Sequence, residues 1–284
     1  MKSVLHTPGL ALAAILLLLS ACRQLVWEQR DRCPVHLGFE IANADAFSPE
    51  ERLHITVFGP SGTEPAAADS TLLREVQEGS FGFWMPVADE WSGYGLVGFE
   101  KSRLEAPARW MIEEGRDADP LFRFDFHMER FEGSSVAQVE LVKDHAKVHL
   151  QFLHYERFGA PDGTFPFEIV LVGNSCGVDG RTGVPLEGVF RHRPAEESAG
   201  SFRFILPRQG DNSLVMELWA KPGLSEREGL VDRLNLGSLL HQLGRVNWEA
   251  KNLPDLDLTL DYGEARLDIE VVEWELAEAL SFDI

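Results

Sequence analysis

The stretch that decides the fold class is AQVELVKDHAKVHLQFLHY, residues 137–155. Apolar and polar residues alternate through it, with apolar side chains at Val139, Leu141, Val148, Leu150 and Phe152. A period of two is the pattern of a β-strand that buries one face. The phase of the alternation changes around Lys143, Asp144 and His145, which predicts a bulge or a bend between two strands.

The same period recurs on both sides of this stretch. Residues 34–41 (PVHLGFEI) and 52–58 (RLHITVF) alternate in the same way, and a turn sequence, GPSG, follows the second segment. Further strands are predicted at residues 80–86, 93–99, 121–126, 165–173, 189–193, 200–207, 213–220, 256–262 and 266–274. Residues 230–243 instead space their leucines at helical intervals, which predicts a short helix. The chain is therefore predicted to be all-β, with two β-sandwiches in tandem.

The loop GAPDG at residues 159–163 is the expected boundary between the two sandwiches. We therefore expect an N-terminal β-sandwich over residues 33–158 and a C-terminal β-sandwich over residues 159–284.

The first residues of the chain are predicted to be a removable signal. Residues 10–19 (LALAAILLLL) are an apolar run too short for a permanent membrane helix, which needs about 20 residues. Ala21 and Cys22 follow it, as in bacterial lipoproteins, in which the cysteine thiol is first acylated with diacylglycerol and the signal is then cleaved before it. We expect a signal peptide over residues 1–21, a lipid on Cys22 and a tether over residues 22–32. The alternative is a plain secretory signal followed by a chance cysteine.

The net charge limits the binding partners of the protein, and the number of cysteines limits the disulfides that it can form. The chain carries 46 acidic against 26 basic residues, a formal net charge of −20. Such a surface repels nucleic acid and anionic headgroups, so we expect no nucleic-acid partner and attachment to the membrane through acyl chains. Cys33 and Cys176 remain after Cys22. They form either a disulfide or two free thiols.

Three groups of residues are candidate sites of chemistry. Residues 173–177 (GNSCG) match the G-x-S-x-G nucleophile motif at Ser175, but VDGRTGVP follows and cannot be the required helix. Residues i and i+4 of a strand lie about 13 Å apart, which argues against zinc at His145, His149 and His154. Trp84, Trp91 and Tyr94 would suit either a sugar platform or, preferably, a core. We expect no catalytic residue, metal site or cofactor.

Several segments together resemble the FimB/Mfa-type anchor lipoproteins of Bacteroidetes-type (type V) fimbriae. The matching segments are residues 31–34 (DRCP), 141–148 (LVKDHAKV), 236–240 (LGSLL), 252–258 (NLPDLDL), 260–263 (LDYG) and 271–274 (VVEW), with Trp248. The resemblance implies transthyretin-like Greek-key sandwiches and no enzymatic activity. It also implies a lipid-anchored structural subunit on the outer face of the outer membrane that fixes a shaft of major or minor fimbrillin and limits its length. The alternative is a surface lipoprotein that binds glycan or protein.

The order of the segments suggests how such an anchor would work. Subunits of this superfamily polymerise by strand exchange after loss of a first strand. Here that strand, residues 34–41, directly follows the tether, so its removal would release the body from the membrane. We therefore expect the chain to keep it, and either to donate a strand or to dock through a surface, but not to accept a strand. The tail places Leu280, Phe282 and Ile284 on one parity, as a donor strand would. The alternative is the end of the last strand or a short amphipathic helix.

Overall fold

The computed structural model describes residues 34–129, 133–158, 163–224, 228–262 and 266–272, with the backbone alone at residues 157–158 and 266–272. The expected signal peptide and tether, the lipid site Cys22, Cys33 and the tail residues Leu280, Phe282 and Ile284 lie outside these residues.

The first sandwich packs a three-stranded sheet on a five-stranded sheet. The small sheet has the order β4 (Gly82–Met85), β1 (Val35–Ile41) and β9 (Ser135–Val139). The large sheet has the order β10 (Val142–Lys143), β8 (Phe122–Glu129), β5 (Glu90–Val97), β2 (Arg52–Phe58) and β3 (Pro65–Leu72). Alternate side chains of both sheets fill the space between them, including Leu37, Ile55 and Phe124. Helix α1 (Leu73–Gln77) adds Leu73 and Val76 to this core.

The second sandwich is larger. One sheet has the order β14 (Glu196–Ser198), β15 (Ser201–Pro207), β11 (His145–Leu153), β18 (Asp255–Asp261) and β19 (Arg266–Val272). The other has the order β17 (Leu230–Leu234), β16 (Val215–Ala220), β12 (Phe167–Asp179), β7 (Arg109–Met111) and β6 (Arg103–Ala106), and β13 (Pro185–His192) also pairs with β12. Helix α2 (Leu236–Gln242) buries Leu236 and Leu240 in this core.

The two sandwiches are joined by a hairpin that leaves one and completes the other. Strands β6 and β7 lie between β5 and β8 in sequence, yet β7 pairs with the end of β12. Trp110 of the hairpin and Val178 of β12 then pack on Phe58, Tyr94 and Leu96, which point outward from the large sheet of the first sandwich. The outer face of that sheet is therefore the side that carries the second sandwich.

The all-β sandwich fold predicted from the sequence is confirmed. The expected domain limits, residues 33–158 and 159–284, do not follow the strand pairing. Strand β11 falls within the limits expected for the first sandwich, but it pairs with β15 and β18 of the second. The pairing changes from one sandwich to the other at Asp144, between β10 and β11. The change of phase noted in the sequence is therefore the crossing between sandwiches.

The helix expected at residues 230–243 occupies only Leu236–Gln242. The preceding segment is strand β17, which pairs antiparallel with β16 from Leu230 to Leu234. The leucines that carried the helical spacing begin at residue 236, so the helix is confirmed there. The prediction was wrong for residues 230–234, where pairing with β16 provides hydrogen-bond partners for the backbone N–H and C=O groups.

Candidate functional site

The first strand of the body lies in the middle of its sheet. Strand β1 pairs antiparallel with β4, from Val35 opposite Met85 to Gly38 opposite Gly82, and parallel with β9, from Leu37 opposite Ser135 to Ile41 opposite Val139. The strand therefore has a hydrogen-bonding neighbour on both sides. If it were absent, β4 and β9 would border an open channel, which is the kind of site that accepts an extended segment from another chain.

The inward side chains of β1 supply a large part of the first core. Val35, Leu37, Phe39 and Ile41 are buried and belong to the cluster between the two sheets. The ring of Phe39 lies 5.3 Å from that of Phe126 and 6.2 Å from that of Phe83. The alternation read from residues 34–41 is thus confirmed, with the apolar set on the inner face.

The far end of β1 is fastened to the junction between the sandwiches. The backbone N–H of Ala42 donates to the carbonyl of Val139 at 2.8 Å. The Asn43 side chain donates to the Leu141 carbonyl at 2.8 Å and accepts from the Leu141 N–H at 3.0 Å. These bonds hold the end of the first strand beside the crossing at residue 144.

The three aromatic residues considered as a sugar platform do not share a surface. Trp91 and Tyr94 are buried, on opposite faces of β5. The Tyr94 hydroxyl donates to the Pro107 carbonyl at 2.8 Å and accepts from Trp110 Nε1 at 3.1 Å. Trp84 alone of the three is at the surface, with 70% of its area exposed. The core interpretation is therefore correct for Trp91 and Tyr94 and wrong for Trp84.

Ser175 and Cys176 lie within a continuous strand. Strand β12 runs through the GNSCG segment to Asp179, so no helix follows Ser175. The serine is buried, and its hydroxyl donates to the Gly177 carbonyl at 3.0 Å. This arrangement lacks the strand-to-helix turn of a nucleophile elbow. Among the described residues Cys176 has no disulfide partner, and its sulfur lies 3.5 Å from the Glu187 carbonyl. Because Cys33 lies outside those residues, a disulfide and two free thiols both remain predictions.

His145 and His149 lie on β11, and His154 directly follows it. Each of the three histidines has its own hydrogen-bonding partner. His149 Nδ1 lies 3.0 Å from Asp257, and His154 Nδ1 lies 2.7 Å from Asp261. His145 Nδ1 lies 3.0 Å from the Leu121 carbonyl. Within the described residues, no three His, Cys, Asp or Glu side chains converge as metal ligands.

A buried group of charges lies where the chain crosses between the sandwiches. Arg208 pairs through Nε with the buried carboxylate of Asp144, whose other oxygen lies 3.4 Å from Arg123 Nε. Arg208 also donates to backbone carbonyls at Trp248, Ala250, Lys251 and Lys143. One guanidinium therefore fixes residues 248–251 of the second sandwich against the crossing at residues 143–144.

A second ion pair adjoins the first. The ammonium of Lys143 is fully buried against Asp255. Burial lowers the pKa of Lys143, and the charge of Asp255 opposes that shift. The sequence signal for this junction was the Lys143-Asp144-His145 triplet inside an apolar alternation. Nothing in the sequence around Arg208 marked that residue.

His145 at this junction should make stability depend on pH. Its ring is buried, and burial holds its pKa well below the ordinary value, with the charge of Lys143 acting in the same direction. The unfolded chain takes up a proton there below about pH 6.5, whereas the folded chain does not. The free energy of unfolding should therefore fall on acidification, by up to about 1.4 kcal/mol per pH unit from this residue.

Denaturant titrations at pH 7, 6 and 5 measure this slope. His145→Gln should remove the part of this slope that comes from His145. Burial also lowers the pKa values of His54 and His192, but their contribution to the slope is the same in both proteins and cancels in the comparison. Equal slopes in the two proteins would contradict the assignment.

Among known proteins, solved structures share the fold of this chain. Within the described residues, no helix has the length and apolar character needed to cross a bilayer. No family model matches the chain, and no curated protein matches it. Solved structures do match.

The fimbrial anchor protein Mfa2 from Porphyromonas gingivalis aligns with a TM-score of 0.55 and 14% identity, over 85% of this chain and 98% of that one. A proposed polysaccharide-binding protein from Bacteroides thetaiotaomicron aligns with a TM-score of 0.61 and 12% identity, over 86% and 98%. A proposed adhesin from Bacteroides ovatus aligns with a TM-score of 0.56 and 13% identity, over 86% and 95%. The resemblance drawn from the sequence is thus confirmed for the fold: this chain has the architecture of Bacteroidetes fimbrial and adhesin proteins.

Proposed function

We propose that this protein is a fimbrial accessory subunit, and specifically the anchor that joins a fimbrial shaft to the outer membrane through a lipid on Cys22. The observation that carries the proposal is the position of β1. The strand that directly follows the tether is the central strand of its sheet, with its inward side chains in the core. A force on the tether therefore acts on a strand that is paired on both sides and packed into the core of the first sandwich.

The same geometry gives the anchor a direction. A subunit that accepts a strand from its neighbour must first vacate the channel between β4 and β9. In this chain that step would separate the body from Cys22, because β1 lies between them in sequence. The anchor therefore keeps its channel closed, and shaft subunits bind to another part of the body.

The other end of the chain is the part best placed for that contact. Strand β19 pairs with β18, and within the described residues it is the outermost strand of its sheet. Edge strands are where a further strand can be added. The tail beyond it carries Leu280, Phe282 and Ile284, which we propose as the side chains of a strand donated to the first shaft subunit. This step leaves β1 in place.

The test of the proposal is the fate of the filaments when the lipid is removed. Cells that produce Cys22→Ala behind a secretory signal whose cleavage does not require that cysteine should release filaments into the medium, because the body no longer has a membrane attachment. Electron microscopy of the cells and immunoblotting of the medium measure the two populations. Mass spectrometry of the mature amino terminus checks the acylation directly.

Cys176→Ala is the matched control, because it removes a cysteine far along the chain and should leave the filaments attached. Filaments retained by cells with Cys22→Ala, or an unacylated amino terminus in the natural protein, would contradict the proposal.

A further inference from the structure

We propose that the outer face of the β4–β1–β9 sheet lies against the headgroup layer of the membrane that holds the lipid anchor. The contact is made chiefly by the exposed side chains of Trp84 and Val136. These two residues, together with His36, Gly38 and Gly82 between them, are called the sheet patch. This inference rests on the proposed function, because the lipid on Cys22 brings the patch to the membrane.

The sheet patch is continuous across all three strands. Trp84 lies opposite His36, with ring centroids 5.1 Å apart, and Gly38 lies opposite both Gly82 and Val136. A methyl group of Val136 and the ring of His36 each lie 3.7 Å from the place where a Cβ on Gly38 would be. Trp84 is 70% exposed and Val136 is 53% exposed. The patch is thus a shallow apolar surface with a tryptophan at one corner.

The patch lies beside the point where the tether reaches the body. Trp84 is level with His36, two residues after Pro34, and the most distant patch position on β1 is Gly38. Four residues of a strand span about 13 Å. Residues 22–33 cannot extend beyond about 43 Å whatever their conformation. A connection of at most this length gives the patch a high effective concentration at the membrane, so a weak contact suffices.

The chemistry of the patch fits a headgroup layer. Tryptophan concentrates at membrane interfaces, where its ring is in apolar surroundings and its N–H remains hydrated. None of the five residues is acidic, in a chain of net charge −20. The first acidic residue on the same face of β1 is Glu40, two residues beyond Gly38, where it accepts a hydrogen bond from Gln138 at 2.6 Å. The patch is therefore a place where this acidic body can approach lipid without a carboxylate entering the interface.

The contact would also orient the molecule. The sheet patch is on the outer face of the small sheet, and the second sandwich packs on the outer face of the large sheet, through Phe58, Tyr94 and Leu96. These faces are on opposite sides of the first sandwich. With the patch on the membrane, the second sandwich points away from it, toward the shaft.

Depth-dependent fluorescence quenching tests this inference on the whole acylated protein. The protein is purified from membranes, its acylation is verified by mass spectrometry, and it is placed in vesicles of phosphatidylcholine with and without brominated acyl chains. The emission of Trp84 is obtained as the difference between each protein and the same protein with Trp84→Phe. Brominated lipid should remove about half or more of this emission, because interfacial side chains sit within about 5–10 Å of the acyl boundary.

Two charged variants locate the contact. Val136→Glu places a carboxylate in the patch and should abolish most of the quenching of Trp84. Val189→Glu is the matched control, because Val189 is 66% exposed on β13 of the second sandwich, and it should leave the quenching unchanged.

An acylated protein whose Trp84 is not quenched would overturn this inference and leave the lipid anchor intact. Glycan binding that depends on Trp84, without quenching by brominated lipid, would also overturn it and assign the patch to carbohydrate. An unacylated Cys22 would instead remove the proposed function and this inference together, and the mass spectrum separates that outcome from the others.

Discussion

Removal of residues 34–41 is expected to unfold the first sandwich. Strand β1 buries Val35, Leu37, Phe39 and Ile41 between the sheets. At about 1.5–3 kcal/mol for each buried side chain, the strand contributes about 6–12 kcal/mol. The entire stability of an ordinary domain is about 5–15 kcal/mol. The remaining chain would also expose the facing edges of β4 and β9, which favours aggregation.

A matched pair of proteins tests this expectation. One begins at residue 34 and the other at residue 42, and both are followed by circular dichroism and denaturant titration. A synthetic peptide of the sequence PVHLGFEI, added to the shorter protein, should restore a cooperative transition by filling the channel. A peptide carrying Leu37→Asp and Phe39→Asp should not restore it. An unchanged unfolding curve for the shorter protein would show that β1 is not an essential part of the core.

Asp144→Ala is expected to lower the free energy of unfolding by about 3–5 kcal/mol, the usual cost of removing one partner from a buried ion pair. The side chain of Asp144 is 1% exposed and that of Arg208 is 9% exposed. Without the carboxylate, the guanidinium of Arg208 remains buried with its charge uncompensated. Its bonds to the carbonyls at Trp248 and Ala250 prevent it from turning to solvent without further loss.

Denaturant titration of the mature chain measures this change. Glu168→Ala is the matched control, because it breaks an ion pair with Arg193 whose side chains are 44% and 60% exposed, and it should cost less than about 1 kcal/mol. Because Asp144 lies at the crossing between the sandwiches, the loss should affect both at once, and a single transition should move to lower denaturant concentration. Equal losses for the two variants would contradict the assignment.

The predictions that succeeded depend on local patterns. The alternation in residues 34–41, 52–58 and 145–153 needs only the geometry of a strand with one buried face, so the strands and the inner residues followed from the sequence. The leucine spacing from residue 236 likewise predicted helix α2. The lipid on Cys22 remains a prediction from local sequence.

The predictions that failed concern contacts between distant segments. Strand β11 has the alternation of any half-buried strand. That pattern does not indicate whether the strands that pair with it precede or follow it in the sequence. The sequence did not predict the hairpin of β6 and β7, because both strands are short. The partner of β7 outside the hairpin is β12, whose paired residues lie 66 or more positions away along the chain.

The sequence by itself determined that this protein is all-β, which side chains of most strands share a face, and that the amino-terminal strand adjoins the expected lipid site. Only the tertiary structure decided which of two faces is covered, as for Trp84, which is exposed, and Trp91, which is buried. It also decided that Asp144 and Arg208 meet, and that β1 is the central strand of its sheet. The physical reason is that periodicity records the repeat of one chain segment, whereas burial and pairing are set by the segments that pack against it.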